Sequence, residues 1–315
     1  MSSTFAADTE PFRRELLAHC YRMLGSVDDA EDVVQETYLR AWRSYDAFEG
    51  RSSLRTWLYR IATNACLTAL RHGSRRQLPS GLAGPSDDPA SVEPAPADVL
   101  WLQPFPDARD PATVVTARES LRLALVAGLQ YLPPRQRAVL ILRDVLAWPA
   151  ADVAETLETS VPAVKSALQR ARARLAEVAP DADEVVEPSA PEAKALLEEY
   201  MAAFEHSDAG RLERLLCRDA ALEMTGTATW FSGLRTCMPF FRAAALGSPG
   251  DWRMVPTAAN GQPAAGAYLR DDDGSYRARG IAVLTVTPAG IARIVLFGDP
   301  GLLDRFGLPD QLASG

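Results

Sequence analysis

The sequence is poor in cysteine and histidine, the side chains that bind most zinc ions in proteins. Its 315 residues include four cysteines and three histidines, and no two cysteines form a CxxC pair. These residues are Cys20, Cys66, Cys217, Cys237, His19, His72 and His206. Because they do not cluster along the chain, we expect neither a metal site nor a cofactor. Cys20 and Cys66 lie in helical patterns, where a buried free thiol is expected.

Long apolar runs are also missing. No run approaches the roughly 18 apolar residues that a membrane-spanning helix needs. The first 30 residues mix acidic and basic side chains with apolar ones, unlike a secretory signal peptide. We therefore expect a cytoplasmic protein, and its length predicts two or three domains.

Negative charge dominates the chain as a whole but not every part of it. The formal net charge is −8. By segment it is 0 for residues 1–75, −4 for 76–112, +3 for 113–178 and −7 for 179–315. A phosphate backbone responds to charge within about one Debye length, roughly 10 Å. The acidic total therefore does not exclude DNA binding by the one basic segment.

Two breaks divide the chain. Residues 77–112 are rich in proline and have few periodic apolar positions, which is typical of a flexible linker. A second, acidic break runs from Pro180 to Pro191. We therefore expect helical domains over 8–76 and 113–178, and a third domain of mixed pattern over 191–315.

In the first domain, Ser26 is placed to cap a helix. Apolar and small side chains then recur at helical spacing and predict one buried face: Ala30, Val33, Val34, Thr37, Ala41 and Trp42. The opposite face carries Asp28, Asp32, Gln35, Glu36 and Arg40. Taken alone, that face is either an ordinary solvated surface or a docking surface for another protein.

A further helix is predicted from Ser52–Ser53 to about Arg71. Arg60, Asn64 and Arg71 share a face of this helix, since they lie four and eleven residues apart. Their donors suit an anion or a nucleic-acid base.

The second domain contains a helix–turn–helix pattern. Helices are predicted over Ala151–Leu157 and 161–177, with a turn over 158–160. A helix presented in this way fits the major groove of DNA. Glu158 stands where the turn usually has glycine, so the turn must form without a residue that adopts positive φ easily.

The long second helix has an inward stripe and a polar outer face. The outer residues are Pro162, Lys165, Ser166, Gln169, Arg170, Arg172 and Arg174. Lys165 and Gln169, one turn apart, are the best candidates for base contacts, and the arginines suit phosphate contacts. An amphipathic helix with a solvated basic face is the alternative.

The third domain begins with helices over Ala193–Phe204 and Leu212–Leu216. Strand-like runs follow, namely Arg253–Pro256, Ala265–Arg270, Ala278–Val286 and Ala292–Phe297, with a hairpin turn at Asp271–Gly274. This order predicts an α+β domain and resembles the cone-shaped SnoaL-like fold. Glu223, Trp230 and Asp299 are candidates to line a pocket. His206 is its only histidine and no acid–base pair is evident, which favours a regulatory domain over an enzyme.

Several blocks resemble the extracytoplasmic-function group of sigma factors. Asp28–Thr37 (DDAEDVVQET) resembles region 2.2 of that family, and Arg55–Asn64 (RTWLYRIATN) resembles regions 2.3 to 2.4. Region 4 is resembled by Leu132–Arg137 (LPPRQR), by DVAE at 152–155 and by SVPAVKS at 160–166. The resemblance covers roughly residues 8–178, and a subgroup of the family carries a SnoaL-like domain at its C-terminus.

The resemblance implies a multidomain fold of two all-α sigma domains, a flexible linker and a C-terminal α+β cone. It implies a transcription initiation factor, not an enzyme, that binds core RNA polymerase through the β′ coiled coil and the β flap. Region 2.2 would dock through Asp28, Asp32, Gln35, Glu36 and Arg40. The −10 promoter element would be held by Arg51, Ser52, Ser53, Arg60, Asn64 and Arg71. The −35 element would be held by the outer residues of the long second helix of the helix–turn–helix pattern, listed above.

Other points stay open in the sequence. Trp101 and Phe105 of the linker either thread into the polymerase, as the resemblance implies, or pack on a neighbouring domain. Trp57 is either core or a stacking platform for a base. An anti-sigma factor and a small-molecule ligand of the C-terminal domain are both candidate partners. The alternative functions are a helix–turn–helix regulator with a ligand-binding C-terminal domain, and a SnoaL-type enzyme with an accessory N-terminal region.

Overall fold

The computed structural model describes residues 3–50, 52–71, 75–109, 121–178 and 190–313. The chain folds into two compact units. The first unit comprises Met1–Arg76 and Arg109–Asp181, and the second comprises Gln77–Ala108 and Ala182–Gly315. The predicted −10 residue Arg51 and residues 110–112 of the predicted linker lie outside the described residues.

The first unit is helical. Its helices are α1 (Ser3–Thr9), α2 (Arg13–Leu24), α3 (Val27–Arg43), α4 (Leu54–Ala69), α5 (Leu123–Leu129), α6 (Pro134–Leu140), α7 (Ala150–Thr156) and α8 (Val161–Val178). A π-helical turn, Ile141–Val145, extends α6. Ser26 caps α3 as predicted, since its hydroxyl accepts the Asp29 amide at 3.1 Å. Ser53 caps α4 by accepting the Thr56 amide at 3.0 Å.

The buried face of α3 differs from its prediction at one residue. Ala30, Val33, Val34, Thr37 and Ala41 are buried, but Trp42 is 45% exposed. Trp42 lies seven residues, two helical turns, beyond Gln35 and therefore shares the exposed face with it. The periodic pattern placed Trp42 with its neighbour Ala41, and large apolar side chains are usually buried.

The two helical domains pack on each other within the first unit. Arg137 of α6 is 3% exposed, and its guanidinium donates to the Met23 carbonyl oxygen near the end of α2. It also donates to Gln130 Oε1 at 2.7 Å and to the carbonyl oxygens of Gln130 and Leu132 at 3.1 and 3.2 Å. Tyr59 of α4 meets Trp148 edge-on, with ring centroids 5.7 Å apart.

His19 of α2 is fully buried, and its Nε2 lies 2.9 Å from the Thr63 hydroxyl. Burial, with smaller contributions from cationic Arg22 and Arg55, lowers the pKa of His19 to about 3. The unfolded chain binds a proton at this site near its ordinary pKa of 6.5, so acid favours unfolding. Between about pH 7.5 and about pH 5, we expect the free energy of unfolding to fall by about 2 kcal/mol.

Denaturant titrations at the two pH values will measure this loss. His19→Leu should remove most of the difference between them, because it removes the titrating group. His206→Gln is the matched control, since His206 is exposed, and it should keep the wild-type difference. Equal acid sensitivity in the wild type and His19→Leu would show that other groups cause it.

The second unit is an α+β fold. Its helices are α9 (Pro191–Glu205), α10 (Ala209–Leu215), α11 (Leu234–Phe240) and α12 (Leu302–Arg305), and a π-helical turn, Phe241–Ala245, extends α11. Its strands are β1 (Leu216–Met224), β2 (Trp230–Ser232), β3 (Trp252–Ala259), β4 (Gln262–Arg270), β5 (Tyr276–Thr287), β6 (Gly290–Phe297) and β7 (Gln311–Leu312). They form one sheet in the order β2-β1-β6-β5-β4-β3, and β7 pairs with β5.

Four of these strands were predicted, and the Asp271–Gly274 turn joins β4 to β5 as expected. The strands β1, β2 and β7 were not predicted. In β1, the charged pair Arg218–Asp219 interrupts the apolar pattern, and its pairing with β6 shifts register between Leu216 and Ala221. Such irregularities bend strands and blur the period of two on which strand prediction depends.

Residues 77–108 differ from the predicted flexible linker, because they belong to the second unit. They have little regular secondary structure, but Leu78, Leu102 and Phe105 are buried. The Phe105 amide donates to Asn260 Oδ1, and the Asn260 amide donates to the Phe105 carbonyl oxygen, both at 2.8 Å. A proline-rich segment without helical periodicity can thus still be fixed by backbone hydrogen bonds to another part of the chain.

The same segment contacts β1, β2 and the turn between them. The Ala95 amide donates to Gly226 at 3.0 Å, and the Ala228 amide donates to Glu93 at 2.9 Å. The Ser80 amide donates to Glu223 Oε2 at 2.8 Å. Of the two interpretations of Phe105, the structure therefore favours packing on a neighbouring domain.

Within the described residues, no helix has both the length and the apolar character to cross a membrane. No group of three or more histidine, cysteine or acidic side chains in these residues is arranged to hold a metal ion. All four cysteines are free thiols, and Cys20 and Cys66 are buried as predicted.

Candidate functional site

The outer face of α3 brings together the five residues that were predicted to dock on a protein. Asp32, Gln35 and Arg40 are exposed, and Asp28 and Glu36 are half-buried. Glu36 and Arg40 form an ion pair at 2.6 Å along the helix. An exposed pair of this kind contributes little to stability, so these charges are available to a partner.

Two apolar side chains on this face were missed by the sequence analysis. Leu39 is 46% exposed and Trp42 is 45% exposed, and both are among the few large apolar side chains that the described residues expose. They lie four and seven residues after Gln35, on the same side of α3. An apolar centre with a charged rim is the usual composition of a protein interface. The signal that could have found them is this spacing from Gln35.

The predicted −10 residues lie on α4 and on the segments that flank it. Ser52 and Ser53 are exposed ahead of the helix, and Arg71 is exposed after its end. Arg60 and Asn64 lie one turn apart and are half-buried. The Arg60 guanidinium forms an ion pair with Glu155 of α7 at 3.2 Å, so the two helical domains meet at a residue that was predicted to bind DNA.

Trp57 of α4 is half-buried. Its ring lies 4.8 Å from that of Phe48 and 6.5 Å from that of Tyr45, measured between centroids. These contacts make it part of a small aromatic cluster beside the Glu49–Ser53 loop.

The helix–turn–helix is formed by α7 and α8. Val164, Leu168 and Ala171 are buried, as the inward stripe predicts. All seven predicted DNA-binding residues of α8 are exposed, namely Pro162, Lys165, Ser166, Gln169, Arg170, Arg172 and Arg174. This arrangement leaves the whole outer face of α8 accessible to a DNA groove.

Three arginines of α8 are held by neighbouring side chains. Arg170 donates to the Ser166 hydroxyl at 2.6 Å, and Arg174 pairs with Glu177 at 2.8 Å. Arg172 binds Asp144 through two hydrogen bonds of 2.9 and 2.7 Å. A phosphate that binds Arg172 must therefore compete with a carboxylate of the same domain.

Glu158 occupies the turn with φ of +50°. The turn is closed by the Thr159 amide, which donates to the Ala154 carbonyl oxygen at 2.9 Å. A residue with a Cβ atom pays about 1–2 kcal/mol for this left-handed conformation. The turn is thus built at a cost, as the absence of glycine predicts.

The residues suggested as pocket lining in the C-terminal domain lie elsewhere. Glu223 is fully buried, where it pairs with Arg293 and accepts the Ser80 amide. Trp230 donates its indole N–H to the Ala83 carbonyl oxygen at 2.8 Å. Asp299 and His206 are exposed. None of these four residues combines with another as an acid–base pair.

Comparison with known proteins identifies both helical domains. The family model for sigma-70 region 2 matches residues 9–76, and that for sigma-70 region 4 matches residues 122–175. These matches define the class as sigma-70-type initiation factors.

The sigma factor SigG of Mycobacterium tuberculosis is 51% identical over 314 residues, which cover 98% of this chain and 85% of that protein. SigJ of the same organism is 37% identical over 167 residues, which cover 53% of this chain and 48% of SigJ. The crystal structure of SigJ superposes with a TM-score of 0.63 at 25% identity, and covers 96% of this chain and 99% of that one.

The chain therefore belongs to the extracytoplasmic-function (ECF) RNA polymerase sigma factors. Members of this family direct transcription initiation and are not enzymes. The match to SigJ extends over the C-terminal α+β domain as well as the two helical domains.

Proposed function

We propose that this sigma factor acts in the cytoplasm and binds the β′ coiled coil of core RNA polymerase through the outer face of α3. Asp28, Asp32, Gln35, Glu36 and Arg40 form the polar part of that surface. Leu39 and Trp42 form its apolar centre. The observation that supports this proposal most directly is the exposure of these two apolar side chains among charged ones, because a solvated surface has no need of them.

We further propose that α4 with its flanking segments binds the −10 element, and that α8 binds the −35 element. The −10 residues are Arg51, Ser52, Ser53, Arg60, Asn64 and Arg71. In the first unit Arg60 is engaged by Glu155 of α7, so binding of both promoter elements requires this contact to open. The exposed pair has little stability of its own, which makes such opening easy at this point.

Neighbouring residues of α8 should differ in what they recognise. Gln169→Ala should lower discrimination between the preferred −35 sequence and single-base variants by about tenfold, because an amide can read a base edge. Arg170→Ala should weaken binding to all −35 sequences alike, and the salt dependence of binding should fall by the amount expected for about one phosphate contact. Run-off transcription with core polymerase on a promoter library, repeated over a range of salt concentrations, separates the two effects. Identical profiles for the two variants would refute the assignment.

We also propose that the C-terminal domain controls the sigma domains through residues 77–108. In the sigma family the segment between the two domains enters the polymerase near its active centre. Here the segment is held by the reciprocal Phe105–Asn260 bonds and by the contacts with β1 and β2. Release of the segment would therefore be a step of activation.

Asn260→Gly tests this control. Asn260 has φ of +58°, which glycine adopts freely, so the variant keeps the backbone conformation and loses the side-chain acceptor of the Phe105 amide. The loss of one such bond should raise run-off transcription by up to about fivefold. Ser207→Gly is the matched control, because Ser207 also has positive φ and lies in the same unit. The control should leave transcription unchanged, and an unchanged Asn260→Gly variant would refute control through this segment.

A further inference from the structure

A π-helical turn of the first unit holds a carboxylate next to α8. The turn, Ile141–Val145, follows α6 and is closed by the Leu146 amide, which donates to the Ile141 carbonyl oxygen at 3.0 Å. Such turns are rare, and they occur frequently at functional sites. Asp144 lies in this turn, so the position of its carboxylate is set by hydrogen-bonded backbone.

The Asp144 carboxylate binds one edge of the Arg172 guanidinium. Arg172 Nε donates to Oδ2 at 2.9 Å, and Nη2 donates to Oδ1 at 2.7 Å. Two parallel bonds between charged groups fix the orientation of a guanidinium as well as stabilising it. The Asp144 side chain is 31% exposed and that of Arg172 is 61% exposed. The pair therefore keeps Arg172 at the surface of the domain in one orientation, with Nη1 not engaged by the carboxylate.

The two other arginines on the outer face of α8 are held differently. Arg170 is bound by a serine hydroxyl and Arg174 by Glu177, and both partners lie on α8 itself. A partner three or four residues away on the same helix moves with that helix and adds little stability. Asp144 is 28 residues from Arg172 in the chain and belongs to another element. It can therefore fix Arg172 relative to the rest of the domain.

Arg172 lies on the same side of α8 as the two candidates for base contacts. It follows Lys165 by seven residues and Gln169 by three, which are neighbouring positions on a helix surface. A phosphate that meets Nη1 competes only for the charge of Arg172. A phosphate that lies elsewhere must also pull the side chain away from Asp144. DNA therefore gains the full contact with Arg172 only in the register that Lys165 and Gln169 select.

We propose that Asp144 is a positioning residue, which fixes Arg172 and thereby limits the binding of α8 to DNA of unrelated sequence. This inference rests on the proposed binding of the −35 element by α8. Binding to unrelated DNA comes almost entirely from cations that neutralise phosphates whatever the sequence. An arginine that is tied to a carboxylate cannot adapt to every phosphate. Phosphate contacts normally carry no sequence information, and this pair makes one of them depend on register.

Asp144→Asn tests this role, because the amide has the shape of the carboxylate but lacks the charge that holds Arg172. The holoenzyme of the full chain with core polymerase is bound to two DNA fragments of equal length. One carries a promoter that the wild-type chain selects from the library described above, and the other carries that promoter with its −35 element scrambled. In the variant, the affinity for the scrambled fragment should rise about fivefold, and the ratio of the two affinities should fall by the same factor. Binding to the scrambled fragment should also become more salt-dependent, by the amount expected for about one phosphate contact.

Two further variants separate this effect from a general change of charge or of structure. Asp152→Asn is the matched control, since Asp152 is an exposed aspartate of α7 in the same domain, and it should leave the ratio unchanged. In an Arg172→Ala background, Asp144→Asn should no longer change the ratio, whereas a purely structural effect would persist there. Equal ratios for Asp144→Asn and Asp152→Asn would overturn the proposal. So would an effect of Asp144→Asn that persists without Arg172.

Failure of the proposed function gives a different result. If α8 does not bind the −35 element, Lys165→Ala leaves the ratio unchanged. If α8 binds that element but Asp144 does not position Arg172, Lys165→Ala lowers the ratio and Asp144→Asn does not.

Discussion

Asp32→Arg should lower the affinity of the chain for core RNA polymerase by about 100-fold or more. The outer face of α3 carries Asp28, Asp32 and Glu36 along most of its length and the bases Arg40 and Arg43 in its last turn, so the partner surface opposite Asp32 is expected to be basic. An arginine at position 32 places like charges opposite each other, which costs several kcal/mol in a desolvated interface. A 100-fold loss corresponds to about 2.7 kcal/mol.

The same substitution should leave the fold intact. Asp32 is exposed and makes no ion pair with any residue in the described ranges. The control is Asp219→Arg, an identical change at an exposed residue of β1. Binding to core polymerase, measured by fluorescence anisotropy at low and high salt, should be unchanged in the control. Wild-type affinity in Asp32→Arg would exclude the proposed docking face.

Arg137→Met should reduce the free energy of unfolding of the first unit by about 3 kcal/mol. The substitution keeps an apolar stem but removes donors to buried oxygens of Met23, Gln130 and Leu132. These acceptors would be left without a donor. The effect is smaller than the sum of the bonds, because burial of the cation is itself unfavourable. Burial lowers the pKa of Arg137 to about 10.

Hydrogen exchange of α2 and α6, followed by mass spectrometry, measures this loss within the first unit alone. Arg135→Met is the control, since Arg135 is exposed two residues earlier in the same helix. It should change the free energy of opening by no more than about 0.5 kcal/mol. If the two variants had equal effects, Arg137 would not be the tie between α2 and α6.

Much of the helical part could be predicted because its signals are local. The Ser26 and Ser53 caps act within three residues, and the helix–turn–helix lies within about thirty. The inward stripe of α8 follows from 3.6-residue periodicity alone. The family resemblance needed no tertiary information either, because short blocks in the right order carry it.

The position of Trp42 could not be predicted in the same way. A side chain of that size is usually core, and the pattern next to Ala41 agreed with burial. Its exposure depends on which parts of the fold pack against that side of α3. An exposed apolar side chain is a feature of the surface, which a pattern of neighbours along the chain does not reveal.

The contacts of residues 77–108, the predicted flexible linker, could not be predicted from the sequence either. Its composition excludes helices, and the structure agrees that regular elements are few. Composition does not say whether the segment finds partners. Phe105 and Asn260 are 155 residues apart, and only folding of the C-terminal domain brings the asparagine to the phenylalanine backbone.

By itself, the sequence determined the class of the protein and the helix–turn–helix formed by α7 and α8, because caps, periodicity and motifs act between near neighbours. The tertiary structure alone decided the rest. It exposed Leu39 and Trp42, buried Arg137 against α2 and fixed residues 77–108 to the C-terminal domain. Each of these depends on contacts, or their absence, between residues far apart in the chain, and such packing has no local signature.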